Sequence, residues 1–476
     1  MPQTASPNLR RRLLAVLMLA APFVLSGCKS DSTDLIWETP ALSERMTQIR
    51  DHGIDANASR VTSDVEVKDA SLDGIVELAL ANNPEVKAGR LKIERLSEKI
   101  DQATALEDPV AALTVGELAQ TAAGQVDYIV SLTQALPYPG TLDARKAVAE
   151  QNVLVASSEL LEVIERVAAE VRRVYWRRYA VARAIEVTEQ DKQILKQISD
   201  VIDARARVNK AQQADQLRIS LRLADLDQEL DRLNQQQRSL DAMMNRLLNR
   251  RADAPLPTPA AVDWTPVEVN RKALIADAEQ SYPAVLVQRR RVEGFRQQFK
   301  LAKIERRPDF RFGVQYAAVG RDGIAGSANG DDQFALTAGV SIPFFSDKYD
   351  AMEREAFRGI GEALMGLDAA QGRAANLAED AIARMQSEQS MLNRLKKQMI
   401  PDSERTFELS LAGYRAGNES FIQMMDDWQR TLDLQLAAHH AQARYEQARA
   451  DLAAATGEVS KQQTATDTDT TGRNDE

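Results

Sequence analysis

Four short stretches of this chain alternate apolar residues with polar or small ones. In one pair, Phe310, Phe312, Val314 and Tyr316 share a side opposite Arg311, Gly313 and Gln315, and Phe334, Leu336, Ala338, Val340 and Ile342 share a side opposite Gln333, Thr337 and Ser341. In the other pair Tyr128, Val130, Leu132 and Leu136 oppose Ser131 and Thr133. Period two predicts strands at about 109–117, 126–136, 309–319 and 332–342. The rest follows helical spacing. Leu160, Ile164, Val167, Val171, Val174, Val181 and Ile185 alternate steps of four and three, with Arg178 the skipped position. Leu223, Leu226, Leu230, Leu233, Leu240, Met244 and Leu247 do the same, with Gln237 the exception. A mean step near 3.5 is a coiled-coil seam, in which helices lie along one another rather than round a globular core.

The pattern is written twice. Pro137 and Pro343, each closing a strand pair, stand 206 positions apart, whereas Pro84 and Pro283, like Pro109 and Pro308, stand 199 apart. The offset grows by seven because the second strand pair is joined by the longer loop "GRDGIAGSANGDD". Each copy reads as helix, strand, strand, helix, helix, an internal duplication with an insertion in a loop. The first repeat covers 71–249, the linker "RRADAPLPTPAAVDWTP" 250–266 and the second repeat 267–457. The tail, 458–476, reads as disordered.

Composition suits long solvated helices: 27% of residues are charged and 5% aromatic. The net charge of -10 speaks against nucleic acid as a partner. The single cysteine, Cys28, follows Arg10-Arg11-Arg12, an apolar run from Leu13 to Leu25, and "LSGC". This is a secretory signal over 1–27 whose end resembles the bacterial lipoprotein signal, with cleavage before Cys28 and lipid on its thiol. In that family Lys29, in place of aspartate, implies the outer membrane. Residues 28–70 would then be a lipid-anchored segment. The mature sequence contains no apolar run of about 18 residues, so any part that spans a bilayer must be β. Strands with one apolar face and one small or polar face fit an outer-membrane barrel. A soluble sandwich is the alternative, and four strands isolated among long helices fit it poorly.

Four strands do not close a barrel, and an open edge in lipid leaves backbone groups unpaired at several kcal/mol each. Copies must therefore pool strands: eight from a dimer would be filled by side chains, while twelve from a trimer leave room for a pore. The duplicated plan behind a lipoprotein signal resembles the TolC-type outer-membrane efflux channels. That resemblance implies a mainly α fold with a small transmembrane β part, in which a homotrimer forms a twelve-stranded β-barrel on a long periplasmic α-helical barrel. It also implies passive conduction, a periplasmic adaptor protein and an inner-membrane RND-type pump as partners, outer-membrane lipid around the barrel, and no cofactor beyond the lipid on Cys28.

The same resemblance assigns residues. Tyr414, Gly417 and Ser420 match the family's motif at one periplasmic tip. The other tip departs from it, with Val208, Ala211 and Ala214 at the equivalent places and Asp215 following. Carboxylates after the tip glycine ring the family's pore constriction. Here Asp426 matches one of them, Asp427 stands beside it, and Gln423 replaces the other. "QALPYPGTLDAR" is similar to a turn in the family's heavy-metal branch, where lysine usually stands at the Thr141 position. No metal-binding motif accompanies it: His439 and His440 are adjacent on a helix and do not share a face, and Met243-Met244 and Met424-Met425 read as packing residues. The sequence lacks GxxxxGK[ST], HExxH and GxSxG, so it carries no motif of an ATPase, zinc peptidase or hydrolase. Two other readings stand beside drug or metal efflux: a protein-secretion exit channel, and a lipid-anchored coiled-coil scaffold that leaves the strand pairs without a role.

Overall fold

A computed structural model describes Val67 and residues 71–458, except Glu117, Ala119, residues 208–212, Asp263, Asp322, Ala325 and Ala328. All of them belong to one compact unit, Thr62–Glu476. Cys28, its signal and the tail after Glu458 lie outside the described residues.

Each repeat opens with two helices rather than the single one expected. In the first, α1 (Leu72–Asn82) and α2 (Pro84–Thr104) meet at Asn83; in the second, α5 (Arg271–Ser281) and α6 (Pro283–Glu305) meet at Tyr282. Proline cannot donate to a continuing helix and forces the residue before it into extended geometry. Asn83 and Tyr282 have ψ of 127° and 129°. Asn83 then caps α2 by accepting from the Glu85 amide at 2.9 Å, while its own amide donates to the Leu247 carbonyl at 3.1 Å.

The strands follow. β1 (Val110–Val115), the short β2 (Gln120–Thr121) and β3 (Gly124–Leu136) belong to the first repeat; β4 (Phe310–Val319) and β5 (Gln333–Val340) belong to the second. They are close to the predicted ranges, though β3 starts two residues early and β1 and β5 are shorter. The sheet order is β1-β3-β4-β5, antiparallel throughout, with β2 folded back on β3. The two repeats therefore join through the β3–β4 pair.

Then come the long helices. α3 (Thr141–Arg207) has 67 residues, about 100 Å at 1.5 Å per residue. It is followed by α4 (Gln213–Leu247). The second repeat has α7 (Ser346–Arg394), a π-helical turn at Leu395–Met399, α8 (Ile400–Ala416) and α9 (Phe421–Thr456). The π turn corrects the expectation of one uninterrupted helix. Pro401 lacks an N–H, and its ring would press on the carbonyl one turn back, so the backbone widens there.

The predicted seams are buried. Ile164, Val167, Val171, Val174 and Val181 on α3, and Leu226, Leu233, Leu240, Met244 and Leu247 on α4, all face other helices. On the second repeat's side the contact is made of small residues: Ala370, Ala374, Ala378 and Ala381 of α7 share a cluster with Ala438, Ala441 and Ala448 of α9. Side chains that small let the helix axes approach closely.

Candidate channel, gate and tip residues

The register of the sheet places all four apolar sides on one face. Leu113 pairs with Val130, Val130 with Tyr316, and Tyr316 with Phe334; one step along, Ala111, Leu132, Val314 and Leu336 line up in the same way. The face is open: Leu113 is 66% exposed, Phe334 70% and Leu336 76%. The opposite face carries Ala112, Ser131, Gln315 and Ala335, then Val110, Thr133, Gly313 and Thr337, so apart from Val110 it is small and polar there, with Arg311 near one end. Both outer strands are exposed along their whole length. Each has a row of backbone groups with no strand beside it among the described residues.

At the helical end of the sheet the chain turns sharply. Pro137-Tyr138-Pro139-Gly140 closes with the Thr141 amide donating to the Tyr138 carbonyl at 3.0 Å, and Gly140 takes φ 91°, which glycine adopts without strain. The Tyr138 amide donates to Asp309 Oδ1 at 2.9 Å, and the Asp309 amide donates to Ser341 Oγ at 2.8 Å. The two repeats are thus tied where strands become helices.

At the far end α8 and α9 meet in a tight turn. Gly417 has φ 85°, and the Asn418 amide donates to the Gly413 carbonyl at 2.9 Å. That is a left-handed helix cap, the conformation that requires glycine. Ser420 caps α9 by accepting from the Gln423 amide at 3.1 Å. Tyr414 is buried and meets Phe421 edge to face at 6.0 Å, so it shapes the tip from inside while Gly417 and Ser420 stand on its surface. The other tip turns between α3 and α4. Ala211 lies outside the described residues, Ala214 is exposed in the first turn of α4, and Asp215 is buried there with Arg218 Nη1 at 3.3 Å.

Asp426 and Asp427 sit differently. Asp426 is exposed in a groove shared with Arg218 and Arg222 of α4, and it makes no hydrogen bond or ion pair among the described residues. Asp427 accepts from Ser410 Oγ of α8 and from Gln423 Nε2 at 3.1 Å. A third carboxylate, which sequence reasoning missed, lies deeper. Asp191 of α3 is 7% exposed and accepts from the buried indole of Trp428 at 3.1 Å. Burial raises its pKa to about 6, against the pull of that hydrogen bond. Among the described residues no cluster of His, Cys, Asp and Glu is placed to hold a metal ion.

The site as a whole is an amphipathic antiparallel sheet with two outer edges at one end of helices up to about 100 Å long. Residues 274–459 match the outer membrane efflux protein family. That segment is the second repeat. No curated protein is similar enough in sequence to count as a relative. Solved structures share the fold at low identity. The outer membrane protein VceC of Vibrio cholerae has a TM-score of 0.66 at 16% identity, over 82% of this chain and 97% of VceC. The CmeC outer membrane channel of Campylobacter jejuni gives 0.67 at 12%, over 84% and 90%. The open state of the MtrE outer membrane channel of Neisseria gonorrhoeae gives 0.65 at 15%, over 83% and 94%. No described helix is long and apolar enough to cross a membrane.

Proposed function

We propose that this protein is the outer-membrane channel subunit of a tripartite efflux system. Three copies contribute four strands each to a twelve-stranded barrel, and their long helices form a periplasmic tunnel that conducts passively. The observation that carries this reading is the sheet, with one apolar face exposed and both edges open. In lipid those edges must pair, and the strand directions allow it: β5 of one copy lies antiparallel to β1 of the next, so the ring closes without a break in pattern.

In this reading Cys28 carries lipid, Asp426 rings the gate, and the two tips engage a periplasmic adaptor fed by an inner-membrane RND-type pump. The proposed cargo is heavy-metal cations. Its support is the similarity of "QALPYPGTLDAR" to the metal branch of these channels. A channel conducts without binding its cargo tightly, so it needs no ligand cluster.

Purified trimers in planar bilayers test the channel itself. Discrete conductance is expected, and none would leave the lipid-anchored scaffold as the better account. Growth of a deletion strain on graded copper, silver, zinc, cobalt and cadmium, beside dyes, detergents and antibiotics, tests the cargo. Sensitivity to one or two metals is expected; sensitivity to organic compounds alone would replace metals with drugs, and a normal profile with a secretion defect would make it an exit for protein. Acyl labelling should vanish in Cys28→Ala.

A further inference from the structure

The insertion that lengthens the second hairpin has a structural consequence at the mouth of the sheet, the end away from the helices. Val126, Ala317 and Val319 are 6–8% exposed there, whereas Ser131, Thr133 and Gln315 farther down the same face are only half-buried. They lie on the small, polar face: Ile129 pairs with Ala317, and Val126 pairs with Val319 after a bulge between Val126 and Tyr128. What covers them is the first hairpin's own loop, whose Leu118 and Ala123 pack onto this patch together with Ile129. The hairpin is thus folded over the interior face. The second loop locks it down, with the Gly330 amide donating to the Ala123 carbonyl at 2.7 Å and the Gly320 amide to the Gln125 carbonyl at 2.8 Å. At Gly323 a Cβ would stand 2.3 Å from the Ala123 carbonyl carbon, so the loops touch backbone to backbone. Asp332 holds the base of the second loop, accepting from the Val319 amide at 3.2 Å and from the Tyr316 hydroxyl.

The geometry points to a fixed collar at the extracellular mouth, seated by Leu118 on Val126, Ala317 and Val319, that sets the largest cargo able to leave. This rests on the channel reading, because only there does the small face line a pore. Three inward loops narrow the exit independently of the periplasmic gate. An apolar seat buried against its own strands is a static restriction, not a swinging lid.

The test is size-selected labelling from outside intact cells. Ser131→Cys places a thiol on the interior face below the collar, in a chain whose one natural thiol is Cys28. A small charged methanethiosulfonate should label it, and a long polyethylene-glycol maleimide should not. Adding Leu118→Asp, or the milder Val319→Ser in case the first variant misfolds, should raise labelling by the large reagent severalfold while the trimer, followed by cross-linking, persists. Large-reagent labelling at one rate in all three backgrounds, or its exclusion from all three, would overturn the collar. Failure of the small reagent to reach Ser131→Cys would instead sink the interior assignment and the channel reading with it.

Discussion

Asp426 and Asp427 are adjacent on α9, and their surroundings separate what each can do. Asp427 links α8 to α9 through Ser410 and Gln423, whereas Asp426 is exposed in the groove it shares with Arg218 and Arg222. Three copies of an exposed carboxylate about a narrow pore favour cations. Asp426→Asn should therefore lower the cation preference of single channels at unchanged stability. Asp427→Asn should leave selectivity near that of the parent and cost about 1 kcal/mol in denaturation, the worth of a lost charged hydrogen bond at a half-buried site. The reverse pattern in reversal potentials would exchange the two roles. Asp191 yields a pH prediction. Its partner is the Trp428 indole, Arg222 lies over the ring of that tryptophan at 5.5 Å, and Lys192 is taken up by Asp227. An acid whose folded pKa exceeds its unfolded one binds its proton more tightly in the fold. Stability then falls as pH rises from the ordinary 3.8 to about 6, and is level above. At ~1.36 kcal/mol per unit the loss is up to about 3 kcal/mol. Asp191→Asn keeps an oxygen for the indole, so it should flatten that slope and raise the melting temperature near neutral pH; an unchanged slope would refute the assignment. This carboxylate was not legible in the sequence because its partner lies 237 positions away. The tip glycine was legible, since a turn that tight leaves glycine little competition.

Strands and seams were the clearest elements because periods of 2 and 3.5 survive any packing detail. The breaks were less clear. Pro84 and Pro283 mark the duplication, yet each also splits a helix, which follows from proline's missing donor. The π turn before Pro401 has the same cause. Arg178 was an exception in the heptad pattern, and the structure shows why the seam tolerates it. Its side chain is 2% exposed, with Nε donating to Asp241 of α4 at 2.7 Å and Nη2 to the Pro257 carbonyl at 3.2 Å. The linker between the repeats is proline-rich, so its carbonyls outnumber its amides and need donors from elsewhere. Arg183 of α3 reaches Pro259, and Gln442 of α9 reaches Val262. These polar groups strap the linker across the helices. Arg178→Ala would strand Asp241 and the Pro257 carbonyl together and should cost about 2–3 kcal/mol, less than a fully buried pair because Asp241 is partly exposed. Chemical denaturation of Arg178→Ala beside Arg178→Met would separate lost pairing from lost packing. Equal stability of Arg178→Met and the parent would mean that the strap contributes nothing.

For the whole molecule, the sequence implied how many strands one chain supplies, and the sheet adds how they face. The expectation of a trimer rests only indirectly on the cost of leaving four strands open in lipid; nothing in one chain counts the copies. The faces allow a stricter test, because neighbours on one strand have opposite surroundings. Val314 stands on the apolar face between Leu132 and Leu336, and Gln315 on the small face between Ser131 and Ala335. If the apolar face meets lipid, Val314→Arg puts a charge into hydrocarbon at a cost of about 2–4 kcal/mol per copy near the midplane. Three copies incur that cost together, so assembly of the trimer in the membrane should be lost. Gln315→Arg puts the same charge into water and adds three positive groups to the pore, so the trimer should survive with cation conductance reduced. Two substitutions one residue apart would then differ in assembly and in current. Tolerance of both would mean that the sheet is not embedded in lipid, and loss of both would mean that neither face is open to water.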